Sequence, residues 1–147
     1  MSAAPAILTV VDTNILVPAL YLYTPISHFL NEGNIILIWN KFIYNEYSEI
    51  IYRLAPMSKK AGVRPEEAIE LLELYAFMGH KTSDMPANFR KISHDRDDDN
   101  FLYAAHSGGA DYIISDDTHL LQLRSFANIP IGKPKSFFDW AKAKHPM

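Results

Sequence analysis

Short apolar runs rich in β-branched residues alternate with helix-like segments from one end of the chain to the other. That alternation restricts the fold more than any other feature. "AILTVV" (6–11), bounded by Pro5 and Asp12, "NIILIW" (34–39), "ADYIIS" (110–115) and the brief "IPI" (129–131) read as strands. The first two are apolar enough to be buried on both faces. After the first strand, "TNILVPALYL" (13–22) reads as a helix limited or bent by Pro18, and "PISHFLNEG" (25–33) as a short helix stopped by Gly33. From Lys41 to Leu54, the residues Phe42, Tyr47, Ile50, Ile51 and Leu54 recur at helical spacing. "RPEEAIELLELYAFMG" (64–79) has Pro65 in its first turn, acids early and Gly79 as its stop. "DNFLYAAHSGG" (99–109) ends in paired glycines, and "THLLQL" (118–123) and "KSFFDWAKAK" (135–144) complete the helices. The stretch from His80 to Asn88 reads as irregular, and "ANFRKIS" (87–93) as a weak strand.

Strands that alternate with helices favour a parallel sheet covered by helices on both faces. The expectation is a three-layer α/β/α, Rossmann-like architecture with a central, mainly parallel sheet. With 147 residues the chain is expected to form a single domain, 1–147, large enough to bury a core. At 48% hydrophobic and 21% charged it has the composition of a globular protein. No apolar stretch is long enough to span a bilayer and the N-terminus lacks a cationic secretory start, so no membrane association is expected. The absence of cysteine excludes disulfides and thiolate metal sites, and with these features makes a cytoplasmic location the default. A net charge of −3 argues against broad attraction to nucleic acid but leaves local basic patches open.

Three of the apolar segments meet carboxylates. "ILTVVDTN" ends at Asp12, "IISDDTHLL" runs into Ser115, Asp116 and Asp117, and "HDRDDDNFLYAA" opens a helix at Asp99. In open α/β sheets the ligand site lies beyond the carboxyl ends of the strands, where strand order reverses. If the strands ending at Asp12 and Ser115 are neighbours, these acids converge there. Glu46 and Glu49 share one face of the 41–54 helix, and either can lean into the same cleft. Two like charges about 4 Å apart repel by roughly 1 kcal/mol in water and roughly 4 kcal/mol near a protein surface. A group of three or four must therefore take up protons or hold a hard cation. Oxygen donors without cysteine point to Mg²⁺ or Mn²⁺ rather than zinc, an ion that activates water and neutralises charge on a phosphodiester.

In order along the chain, "VVDTN", "NEYSEII", "DDDNFLYAA" and "DYIISDD" resemble the motifs of PIN domains, and in particular the bacterial toxin components of toxin–antitoxin pairs related to VapC-like ribonucleases. The resemblance spans roughly Ile7 to Ile131. It implies a Mg²⁺- or Mn²⁺-dependent endoribonuclease with a quartet of acids: Asp12, Glu46, Asp99 and Asp117. Asp12, Asp99 and Asp117 would be metal ligands. Asn14 and Ser115 would orient them, with Asp98 and Asp116 as further supporting residues. Glu49 is the fallback for Glu46. The third position could slip within the run Asp95, Asp97, Asp98 and Asp99, and Asp116 competes with Asp117. The resemblance also implies an RNA substrate, a small antitoxin partner that occludes the cleft, and a homodimer.

Other roles stay open for the same residues. Asp12 and Asp99 each suit the N-cap of the helix that follows, and Glu49 suits an exposed helix surface. The histidines at 28, 80, 94, 106, 119 and 145 lack the spacing of a zinc helix and read as structural or surface groups. Tyr44, Tyr47, Tyr52 and Tyr75 read as core or interface. Lys59, Lys60 and Arg64 in one expected loop, Arg90 and Lys91 in another, and Lys133, Lys135, Lys142 and Lys144 in the tail form three basic clusters that could hold phosphates. Two rival functions are a PIN-like scaffold without catalysis and a phosphatase-like enzyme with Asp12 as phosphoryl acceptor. The second wants another acid where Asn14 stands.

Overall fold

β1 (Ile7–Val11) lies at the centre of a six-stranded sheet, flanked by β2 (Ile35–Trp39) on one side and β4 (Tyr112–Ile114) on the other. The structure is a computed structural model and describes residues 5–144. The strand order is β3-β2-β1-β4-β6-β5, where β3 is His80–Lys81, β5 is Ser125–Phe126 and β6 is Ile129–Gly132. Every pairing is parallel except that of β5 with β6. The expected mainly parallel sheet is therefore present, in a three-layer α/β/α arrangement. The near-continuous burial of β1, β2 and β4 accounts for their predominantly apolar sequences.

The described residues form eight α-helices: α1 (Thr13–Tyr21), α2 (Pro25–Asn31), α3 (Lys41–Arg53), α4 (Pro56–Ala61), α5 (Pro65–Met78), α6 (Asp99–Gly108), α7 (Thr118–Leu121) and α8 (Pro134–Lys144). No helix among them is long and apolar enough to cross a membrane. α1 continues through Pro18 to Tyr21, so the proline neither stops it early nor falls outside it. α3 buries Ile43, Tyr47 and Ile51, four residues apart along one face. Gly109 ends α6 in the left-handed conformation at φ 69°, as its paired glycines suggest. Gly79 serves a different purpose: a Cβ there would collide with the Leu37 carbonyl oxygen, so only glycine lets the chain leaving α5 pass so close to β2.

Four local expectations differ from what is found. "ANFRKIS" forms no strand: residues 87–93 are turn and irregular chain that wraps the start of α6. β3 lies inside the stretch read as irregular. It has two exposed residues that pair with Ile38 and Trp39, so the edge of the sheet and not its own composition makes it a strand. β5 is added by a two-residue hairpin in which Ala127 and Asn128 both have positive φ, the geometry of a type I′ turn. The segment holding Lys59 and Lys60 is the short helix α4, opened by Pro56 and closed by left-handed Gly62.

Candidate functional site

The register between the two central strands determines what meets at their carboxyl ends. Val11 pairs with Ile114, so the next residues, Asp12 and Ser115, stand side by side. The ladder continues past both strands, with Asp12 N donating to Ile114 O at 2.9 Å and Ser115 N donating to Gly132 O at 3.0 Å. β1 and β4 are also where the sheet order reverses, the position at which α/β sheets bind ligands.

Asp12 is 6% exposed and does not cap α1 with its side chain. Its Oδ2 accepts a 2.7 Å hydrogen bond from Ser115 Oγ, and that oxygen accepts from Asp117 N at 3.0 Å. A single hydroxyl thus couples two of the acids. Glu46 arrives from α3, which the fully buried Tyr47 ties to the end of β1 by donating its hydroxyl to Val11 O. Glu46 Oε2 accepts from the hydroxyl of Thr13, one residue beyond Asp12. Asp117 follows β4 and caps α7, its Oδ1 accepting from His119 N at 2.8 Å.

Asp12, Glu46, Asp98 and Asp117 line one cleft of about 310 Å³ together with Thr13, Asn14, Glu49, Ile50, Arg53 and Asp97. Glu49 is on its wall but holds Arg53 in an exposed ion pair at 2.9 Å. Arg53 is the basic side chain that lines the cleft; none of the three basic clusters read from the sequence does so among the described residues. Arg64 pairs with Glu67 and Lys135 with Asp139 at the surface. Asp116 is exposed and off the cleft wall.

Asp99 does not join the others. It is completely buried beneath the loop that precedes α6, and both its oxygens are engaged there. Oδ2 accepts from Ile92 N at 3.1 Å and from Arg96 Nη1 at 3.2 Å, and Oδ1 accepts from Ser93 N at 2.6 Å. The neighbouring Asp98, in the 3₁₀ turn Arg96–Asp98, reaches the cleft together with Asp97, and it is Asp98 whose carboxylate lies beside that of Asp117. One step along a turn changes which way a side chain points, a distinction a run of near-identical acids does not reveal.

The charges in the cleft show the strain expected of crowded anions. Burial lifts the Asp12 carboxyl above its ordinary range; the Ser115 hydrogen bond opposes this, and Asp117 and Asp116 add to it. Burial likewise raises Glu46, with Thr13 opposing and Asp12 and Asp97 reinforcing. Asp98 is pushed up to about 7 by burial and then by Asp117, Asp12, Asp95 and Glu46. A hard divalent cation would relieve this repulsion, and a donor set made of carboxylates suits one. The ring of His119 lies at the mouth of the same group, its nearest nitrogen within 4.8 Å of carboxylate oxygens of Asp98 and Asp117. Sequence reading placed His119 among the surface histidines. Its separation of two residues from Asp117 on a helix start was the only signal. His145 lies outside the described residues.

Comparison with known proteins bears on both fold and site. The PIN domain family matches residues 9–119, a span that contains every lining residue of the cleft. The crystal structure of PAE2754 from Pyrobaculum aerophilum superposes with a TM-score of 0.60 at 15% sequence identity, covering 96% of this chain and 94% of that one. At this identity the likeness concerns the fold. No curated protein matches the sequence.

Proposed function

The chain belongs to the PIN domain family, and on that premise we propose that it is a Mg²⁺- or Mn²⁺-dependent endoribonuclease, the toxin of a toxin–antitoxin pair. PIN domains are generally nucleases. The observation that carries the reading is the convergence of Asp12, Glu46, Asp98 and Asp117 on one cleft, with three of them held toward the protonated form by burial and by one another. Asp98 here takes the place given to Asp99 by motif spacing.

Asp12, Asp98 and Asp117 would hold the ion, which when bound lowers the pKa of water and offsets charge on a phosphodiester. Ser115 orients Asp12 and the chain at Asp117 together, and the buried setting keeps that pair from turning toward solvent. Glu46 is fixed by Thr13, and its raised basicity suits it to take a proton from the attacking water. Arg53 lines the same cleft and would meet a phosphate oxygen once released from Glu49. Asn14 supplies a neutral polar group on the cleft wall.

The toxin reading brings a small antitoxin and a second copy of the chain as partners, in the cytoplasm. Leu74, Phe77 and Met78 support an interface. They share one face of α5 and are 48%, 88% and 50% exposed, an apolar surface that a partner would cover.

The test is incubation of the purified protein with mixed RNA, with and without Mn²⁺, alongside Asp98→Asn. Chelator-sensitive cleavage lost in the variant is expected. Intact RNA under every metal condition would overturn the nuclease reading.

A further inference from the structure

The cleft's carboxylates have a nitrogen donor beside them. One oxygen each of Asp98 and Asp117 and a ring nitrogen of His119 lie within 4.8 Å of one another. His119 Nδ1 is 3.8 Å from Asp117 Oδ1, a separation that two ligands of one ion can have when each lies about 2.1 Å from it. The main chain of His119 is held by Asp117 Oδ1, which accepts its backbone N–H at 2.8 Å, and its partly exposed ring packs against that of His94 with centroids 4.9 Å apart.

We infer that His119 is a ligand to the divalent ion held by Asp98 and Asp117, making the centre a mixed nitrogen–oxygen site that favours transition ions such as Mn²⁺ and Co²⁺ over Mg²⁺. This rests on the reading of the cleft as a metal centre. The physical reason is donor chemistry. Mg²⁺ is small and hard, keeps its waters and gains little from an imidazole. Affinity for nitrogen donors rises along the first transition row, so one imidazole among carboxylates shifts the balance between ions and not merely the total affinity. The ring of His94 limits the rotation of His119 and so lowers the entropy lost when it binds.

Calorimetric titration with Mg²⁺, Mn²⁺ and Co²⁺ on the wild type, His119→Ala, His119→Asp and Asp98→Asn tests the assignment. His119→Ala is expected to lose at least about tenfold in Co²⁺ affinity, since removing a ligand costs no less than removing an outer-shell partner, and distinctly less in Mg²⁺ affinity. His119→Asp replaces the nitrogen donor with an anionic oxygen donor and is expected to bind Mg²⁺ well without recovering the Co²⁺ preference. The visible absorption of Co²⁺ bound to the wild type should shift in both His119 variants. A Co²⁺ to Mg²⁺ affinity ratio unchanged in both His119 variants, while Asp98→Asn loses both ions, would overturn the role of His119 and leave the metal centre standing. A wild type that binds none of the three ions would instead remove the metal centre, and this inference with it.

Discussion

Ser115 Oγ donates to Asp12 Oδ2 at 2.7 Å and accepts from Asp117 N at 3.0 Å, so one buried hydroxyl joins the ends of two neighbouring parallel strands. The bond is short, enclosed and made to a carboxylate, the class of hydrogen bond that contributes most. Because Asp12 and Asp117 are 105 positions apart in a chain numbered 1–147, this contact is what makes their chemistry common.

Ser115→Ala removes that link while leaving the strand intact. Loss of a hydrogen bond to a buried carboxylate should destabilise the fold by about 1–3 kcal/mol. Divalent-ion affinity should fall by about ten- to a hundredfold, as when an outer-shell partner is lost. Urea unfolding and calorimetric titration measure the two effects separately. An affinity equal to that of the wild type would contradict the positioning role.

Asp98 and Asp99 should behave oppositely when each is changed to asparagine. Asp98→Asn relieves repulsion in the cleft, so it should retain or raise the melting temperature of the ion-free protein while abolishing metal-dependent cleavage. Asp99→Asn disrupts bonds from Ile92, Ser93 and Arg96 and should cost about 2–4 kcal/mol. Thermal melts and an RNA cleavage assay on the pair distinguish a cleft acid from a loop anchor. Equal melting temperatures for both variants would contradict the assignment.

The pH response follows from the raised carboxyls. Asp98 keeps its proton in the folded state up to about 7, whereas the unfolded chain releases it in the ordinary carboxylate range. The folded state therefore binds more protons across that window, and the stability of the ion-free protein should decline as pH rises from the ordinary range through about 7. Asp12 and Glu46 are shifted in the same direction and add to the trend. Ion binding requires these protons to leave, so Mn²⁺ should stabilise the protein more at pH 8 than at pH 6. Melting curves over pH 5–8, with and without Mn²⁺, should converge at the acid end.

The two glutamates of α3 should separate cleanly. Glu46→Gln should lower the cleavage rate by about 10²–10³, the range for loss of a positioned proton acceptor. Glu49→Gln breaks only an exposed pair with Arg53 and should change stability by less than about 1 kcal/mol. Single-turnover cleavage with both variants provides the comparison; a larger loss at Glu49 would reverse the assignment.

Local patterning was enough for the scaffold. The apolar runs of β1 and β2, the helical spacing of α3, Pro65 at the start of α5 and the glycines at the end of α6 act within a few residues of themselves, so they could be read one segment at a time. Asp12 could be singled out because it directly follows a strand, and Asp117 because it lies just past another, though Asp116 shared that signal. β3 and β5 could not, since each is a strand only by virtue of a neighbour that the fold brings beside it. The same limit applied to the acids near α6. Asp98 and Asp99 have the same charge and adjacent places, and only the loop folding back on α6 sends one into the cleft and the other to the amides of Ile92 and Ser93. Nor did sequence distinguish His119 from the other histidines, because its proximity to Asp98 depends on how α7 packs after β4. The chain alone determined the central strands, the longer helices and that acids follow strand ends, for these follow from backbone propensity and the cost of burying polar groups. Tertiary structure decided which acids share a cavity, because side-chain direction and through-space repulsion exist only after distant segments have packed.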